Sequence, residues 1–320
     1  MKVTLSNVIT IEEPTPEILY YCRTQITYKN PDYDKKRRMG VWLGGTPKDI
    51  KLYDKNDNKL YLPIGCFNDI WKLHPYQDDY QDYSVEKKVN VHSSIKLRNY
   101  QEPCVKAIVN NFNGLLILPA GTGKTLTALQ CFAHLNQKTL WLTHTMDLLN
   151  QAKGECEEHI QCKTSTITQG QCDYSGDIVF ATVQTLVNII DNGDIPQDTF
   201  GLVVTDECHH AVVSAESVMQ FQRCINYFAS KYKIGLTATL HTANGLHVVV
   251  PKIIGPVLYE LKKVGDEFIG YYNNQEVVKV PASMFQVPAR INLIPTKYNA
   301  IGKDIYDRYN QTVNFAKLIK

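Results

Sequence analysis

Two short stretches of the chain combine residue types and spacings that can do chemistry on a phosphate. The first is Pro119, Ala120, Gly121, Thr122, Gly123, Lys124 and Thr125, directly after the apolar run Leu115 to Leu118. Gly121 and Gly123 can take backbone angles that other residues resist, so successive N–H groups can turn inward and cradle an anion. Lys124 supplies a mobile positive charge for β- and γ-phosphates. The Thr125 hydroxyl is placed to ligate Mg²⁺, and the helix that follows offers its N-terminus. The usual spacing opens on a glycine where this chain has Leu118, so the match is partial at its first position. The second stretch is Asp206 and Glu207, at the end of the apolar run Leu202 to Thr205. Adjacent carboxylates at a strand end suit a metal held by Asp206 and a water oriented or deprotonated by Glu207. Together the two stretches predict an Mg·ATP site.

Further residues group around that pair. His209 can sense the γ-phosphate region and pass its state to the segment Gly235 to Thr239, where the hydroxyls of Thr237 and Thr239 can bond to it. Upstream, Gln101 can read an adenine edge with both ends of its amide. Zinc is disfavoured: Cys208, His209 and His210 are consecutive and point in different directions. Cys156, His159, Cys162 and Cys172 also lack the usual ligand spacing.

These residues need a scaffold that brings strand ends together. From Ile95 onward strands alternate with helical patterns, which predicts a parallel α/β sheet flanked by helices. The expected strands are 115–118, 139–143, 178–181, 202–205 and 233–236, and the expected helices are 124–135, 146–159, 185–191 and 215–229. Ligands of such sheets gather at the carboxyl ends of strands, here Thr143, Ala181, Asp206 and Thr237. Before this lies a small α+β domain, 1–75, with a strand over Val3 to Ile11, a helix over Glu17 to Thr27 and a hairpin turning at Asp54 to Asn58. A linker is expected at 76–94 and an ATP-binding domain at 95–300. After Pro256 the sequence predicts a hairpin at Tyr271 to Asn274, a strand at Ile291 to Ile294 and a helix over 301–320.

The 320 residues are 44% apolar and 21% charged, a globular composition with room for two domains. With a net charge of only +2, any nucleic-acid surface must be local, and the run Lys35, Lys36, Arg37, Arg38 is the best candidate. Nine scattered cysteines suit a reducing compartment rather than a disulfide framework. The N-terminus lacks a signal-peptide core and no run is long enough to span a bilayer, so a cytoplasmic protein is expected.

As a set, LRNYQ (97–101), LPAGTGKT (118–125), WLTHTMDLLNQ (141–151), ATVQTL (181–186), DECHH (206–210) and GLTATL (235–240) resemble the Q motif and motifs I, Ia, Ib, II and III of superfamily 2 helicases of the DExH type. The resemblance implies a RecA-like P-loop domain using ATP and Mg²⁺. It assigns Arg98 and Gln101 to the nucleotide, Gly121 to Thr125 to the phosphates, and Asp206 and Glu207 to metal and water. It assigns Thr237 and Thr239 to coupling hydrolysis to movement, and Thr143, His144, Thr182, Gln184 and Thr185 to the nucleic-acid track. Lys29 to Gly65 is similar to the small domain preceding the motor in UvsW-like and XPB-like helicases, which engages duplex or branched DNA; Lys35 to Arg38 would then contact phosphates.

Two departures matter. After motif III the family pattern proline-x-arginine-x-aspartate-glycine is replaced by Leu240 to Gly245, so no family role transfers there. A complete motor also has a second RecA-like domain that supplies arginine fingers, and no resemblance to it precedes Lys320. The expectation is an ATP-driven DNA helicase or translocase whose half motor binds Mg·ATP but turns it over slowly until a second domain joins it in cis or in trans. The rivals are a non-catalytic DNA-binding module with ATP as conformational ligand, and the motor part of a restriction or phage-defence complex.

Overall fold

The computed structural model describes residues 1–285, apart from 169 and 243, and the dipeptides Tyr306–Asp307 and Thr312–Val313. Residues 1–285 form one compact unit built on two large sheets and two two-stranded ones.

The larger sheet has ten strands, ordered Gln171–Cys172, Thr164–Thr168, Ile178–Thr182, Thr139–Thr143, Leu202–Thr205, Tyr232–Thr237, Asn113–Ile117, Val257–Val264, Glu267–Tyr272 and Gln275–Pro281. Strands from Thr164–Thr168 to Val257–Val264 pair in parallel, while a hairpin at one edge and a three-stranded meander at the other are antiparallel. The short all-apolar runs form strands here because both faces are covered. Successive side chains alternate between faces. Leu115 and Val203 join one buried cluster, while Leu116, Leu202 and Val204 join the other, with Trp141, Phe132 and Phe180. Helices Lys124–Leu135 and Met146–His159 have the expected bounds, whereas Val183–Asn192 and Ala215–Tyr227 differ by a few residues at their ends. Asn273 and Asn274, both left-handed (φ 49° and 61°), turn the expected hairpin.

The N-terminal residues make a five-stranded sheet ordered Asp54–Asn56, Lys59–Leu62, Ile9–Glu12, Lys2–Leu5 and Tyr80–Asp82. Two expectations are corrected. The alternation from Val3 to Ile11 is not one strand but two antiparallel strands, because the chain turns at Ser6 to Val8. The hairpin near Asp54 turns at Asp57, where φ is 49°; Asp54–Asn56 is itself a strand, and Asp49–Lys51 pairs elsewhere, with Thr27–Lys29. The polar stretch 76–94 carries Tyr80–Asp82, which pairs with Lys2–Leu5, and His92–Ser93, which pairs with Ile160–Gln161. The N-terminal sheet shares its apolar core with one face of the larger sheet, Val3, Ile9 and Ile11 lying in the same cluster as Phe221 and Ile225.

The strand expected at Ile291 to Ile294 lies outside the described residues, as does most of the helix expected over 301–320. Within that helix span, Tyr306–Asp307 and Thr312–Val313 pair as antiparallel strands.

Candidate active site

Strand Asn113–Ile117 runs into the loop Leu118 to Gly123, which ends where helix Lys124–Leu135 begins. Gly121 (φ 78°) and Gly123 (φ 76°) both take left-handed backbone. A Cβ on Gly123 would stand 2.8 Å from the Gln101 amide nitrogen, whereas one on Gly121 would meet nothing within 4 Å. Gly123 is thus required by packing as well as by backbone, and Gly121 by backbone alone. Thr122 is buried and its hydroxyl donates to Pro119 O (2.7 Å), closing the turn from inside.

Opposite the loop, Asp206 follows strand Leu202–Thr205 and donates its N–H to Leu142 O at 2.8 Å. Glu207 then takes a left-handed conformation (φ 47°), uncommon for a residue with a long side chain and found where a site imposes it. This turn sends its carboxylate toward the loop, and Lys124 Nζ lies 3.2 Å from Glu207 Oε1. Burial, then the neighbouring Glu207 charge, raises the Asp206 carboxyl to about 6. A buried acid of this kind is stabilised as its anion by a cation placed beside it.

Ala120, Gly121, Gly123, Lys124, Thr125, Asp206 and Glu207 line one cleft of about 420 Å³. Helix Met146–His159 adds Gln151, Glu155 and His159 to its wall. These three were not expected, yet their spacing of four puts them on one helical face, a pattern the sequence carries. Gln151 donates to Glu155 Oε1 at 3.1 Å.

His209 bridges toward the neighbouring strand. Its Nδ1 is 2.9 Å from Thr237 Oγ1 and 3.3 Å from Glu207 Oε2, the latter an ion-pair distance without hydrogen-bond geometry. Burial and the adjacent His210 hold its pKa below the usual imidazole range. The Thr237 hydroxyl in turn bonds Thr239 O, and Thr237 O accepts from Leu118 N, the residue entering the phosphate loop. The two acidic residues, His209, Thr237 and the loop are therefore one connected network. Asn244 extends it: its amide donates to Val212 O (2.8 Å) and Val213 O (3.0 Å), tying the segment after Thr239 to the turn after Glu207.

Gln101 is engaged with the chain itself. Its Oε1 accepts from Arg98 N (2.9 Å) and its Nε2 donates to Thr122 O and Gly123 O (both 3.2 Å), with only 4% of the residue exposed. Arg98 bonds the Tyr100 hydroxyl, which also holds Thr122 O. Both residues brace the phosphate loop from behind.

The expected track residues separate. His144 and Gln184 line a second cleft of about 350 Å³ with Thr145, Leu148, His210 and Val213. His144 Nε2 has no hydrogen-bond partner, and burial, with the neighbouring His210 and His209, lowers its pKa to about 4. Thr143 is fully buried and bonds Thr145 O. Thr182 caps helix Val183–Asn192 through Thr185 N and its hydroxyl meets that of Thr185. Lys35 to Arg38 lie on helix Pro31–Arg38, which buries none of its residues. Asp32 of that helix accepts from Ala215 N (3.0 Å), joining the N-terminal region to helix Ala215–Tyr227.

A parallel sheet with a glycine-rich loop after one strand and paired carboxylates after another is the arrangement of a RecA-like P-loop fold. A family model described as Type III restriction enzyme, res subunit, matches residues 94–242. The DNA 3'-5' translocase XPB2 of Sulfurisphaera tokodaii is 30% identical over 207 residues, 61% of this chain and 45% of that protein. The XPB helicase/translocase subunit of general transcription and DNA repair factor IIH from Encephalitozoon cuniculi is 28% identical over 251 residues, 70% of this chain and 34% of its own. The crystal structure of the UvsW helicase from bacteriophage T4 matches with a TM-score of 0.56 at 18% identity, over 80% of this chain and 99% of that one; this likeness speaks for the fold. Residues 94–242 are thus similar to that family, the chain is similar to these XPB proteins and has the fold of the UvsW structure, and it spans less than half the length of the two curated relatives named here. No described helix is long and apolar enough to cross a membrane.

Proposed function

We propose that the chain is the ATP-binding half of an ATP-dependent helicase or translocase that remodels duplex or branched DNA. One observation carries this reading: Lys124, Asp206 and Glu207 converge on a single cleft, and Glu207 and His209 connect that cleft to Thr237 on the next strand. The residues suit Mg·ATP. Left-handed Gly121 and Gly123 leave backbone N–H groups for phosphates, and buried Asp206 is an acid that gains from an adjacent cation. Mg²⁺, held by Thr125 and Asp206, would neutralise phosphate charge. Lys124 binds the β- and γ-phosphates, Glu207 orients a water and takes its proton, and His209 reports the change to Thr237 and Thr239. His144 and Gln184 face the nucleic acid, with Thr143, Thr182 and Thr185 holding that wall in place. The second RecA-like domain, which supplies arginine fingers, acts in cis or in trans.

The test is ATP turnover by the chain with and without forked DNA, beside Lys124→Ala, with Mg·ATP binding followed by calorimetry. Lys124→Ala should abolish binding; unchanged affinity in that variant would overturn the site. A second reading, the motor part of a restriction complex, draws on the description of the matching family model and would be favoured by a nuclease domain encoded alongside.

A further inference from the structure

Helix Pro31–Arg38 ends in four cations, and none of Lys35, Lys36, Arg37 and Arg38 makes an ion pair among the described residues. Two acids precede them. Asp32 is taken by Ala215 N, and Asp34 is exposed on the same helix, so the patch is net positive. Lys36 bonds the Thr46 hydroxyl, while Lys35 and Arg37 project their charges freely. The chain then forms a tight loop on three left-handed glycines, Gly40 (φ 64°), Gly44 (φ 54°) and Gly45 (φ 76°), closed by Val41 N to Lys36 O and Thr46 N to Leu43 O. The Trp42 ring packs over Gly44, where a Cβ would stand 3.1 Å from it. Trp42 is nonetheless 89% exposed, and it follows exposed Met39 and Val41 in the chain.

A large aromatic held out on a hydrogen-bonded loop near unpaired cations is suited to stacking on a base whose phosphates those cations neutralise. The groove beneath the loop, about 620 Å³, is lined by Lys35, Lys36 and Gly44 on one wall and by Ser214, Glu216 and Met219 on the other. Ser217 and Gln220 of the same helix line the His144 and Gln184 cleft. The two clefts thus share helix Ala215–Tyr227 as a wall. Bases inside an intact duplex have no free face, so this arrangement singles out the place where a duplex opens.

We propose that Trp42 stacks on an unpaired base at a duplex–single-strand junction in DNA, with Lys35, Arg37 and Arg38 on the flanking phosphates. The inference rests on the reading of the chain as a DNA motor. It is tested by fluorescence anisotropy with the whole chain on two DNA probes, a fork with unpaired arms and a covalently closed duplex minicircle. Trp42→Ala should weaken the fork about tenfold and the minicircle less than about twofold. Trp42→Phe should retain most of the affinity. The triple variant Lys35→Ala, Arg37→Ala, Arg38→Ala should weaken both probes and lower the salt dependence. Equal losses on both probes in Trp42→Ala, or none, would overturn the stacking role. So would wild-type self-association that Trp42→Ala abolishes, since a second copy would then cover the loop. A wild-type chain that binds neither DNA would instead overturn the parent reading.

Discussion

Lys124 Nζ sits 3.2 Å from Glu207 Oε1, so the proposed phosphate-binding cation and the proposed water-activating carboxylate hold each other across the cleft. On the proposed function, a γ-phosphate bound between them would draw Lys124 from Glu207 and leave the carboxylate free for water. Glu207→Gln removes the competing charge. It should bind Mg·ATP at least as tightly as the wild type while turnover falls by about 10²–10⁴, the range for losing a general base. Calorimetry beside a phosphate-release assay measures both. Weaker binding in Glu207→Gln would mean that Glu207 does not compete for Lys124.

The Asp206 pKa gives a pH dependence with a definite sign. Its carboxyl is raised to about 6, so the folded chain holds this proton more tightly than the unfolded chain does. The stabilising contribution is complete below the unfolded carboxylate value and is lost as pH rises through about 6. Asp206→Asn should therefore melt higher than the wild type at pH 8 without nucleotide, by on the order of 2 kcal/mol. In the wild type, Mg·ATP affinity should fall as pH drops below about 6, with a proton released on binding. Equal melting of the two proteins at pH 8 would refute the buried-acid account.

Much of this site was legible because its parts are local. A buried strand, a glycine-rich turn and a helix start are set by adjacent residues, and the strands and helices of the parallel sheet appeared close to their expected bounds for the same reason. What escaped the sequence was long-range partnership. Nothing near Gln101 announces that both ends of its amide are bound to Arg98, Thr122 and Gly123. Thr143 and Thr182 look like exposed polar strand ends, but tertiary packing buries them and turns their hydroxyls to local carbonyls and caps. The N-terminal alternation predicts a single strand because Val3, Leu5, Ile9 and Ile11 keep one period-two phase, broken only at Asn7 in a turn that contains no glycine or proline.

Lys233 shows the same limit and yields a stability prediction. It is fully buried, and its Nζ donates to Asn7 O and Ile225 O, each at 2.9 Å, pinning the first N-terminal turn to helix Ala215–Tyr227. Burial lowers its pKa to about 7. A neutral amine has two N–H groups for these two carbonyls, so the uncharged form is fully satisfied. The folded pKa lies below the unfolded one, so the penalty of burying the charge is complete below about 7 and fades as pH rises above it. Lys233→Met leaves both carbonyls without donors, at a cost of about 1–3 kcal/mol each. Urea denaturation at pH 6 and pH 9 should show the wild type gaining on Lys233→Met at the higher pH. A constant difference would refute burial as the cause of the lowered pKa.

His209 and Thr237 are the shortest side-chain link between the carboxylate turn and the next strand. Removing either should spare nucleotide binding, because neither touches the phosphate loop through its side chain. It should remove the stimulation of turnover by DNA. The double variant His209→Ala, Thr237→Val should lose no more than either single one, since the pair acts as a unit. Additive losses would mean that the two act separately.

Gln101 separates two roles that predict different outcomes. If it braces the loop, Gln101→Ala strands Arg98 N and frees Thr122 O and Gly123 O behind the phosphates, and affinity for ATP and GTP should fall together. A buried group left without its partner costs about 1–3 kcal/mol, roughly a ten- to hundredfold loss shared by both nucleotides. If its amide instead turns to meet the adenine edge, ATP alone should weaken and the preference over GTP should collapse. The existing bonds on both ends of the amide favour the shared loss, because reading a base would require breaking them first. Titration of wild type and Gln101→Ala with both nucleotides decides between the two roles, and a selective loss of ATP would reinstate Gln101 as the base reader.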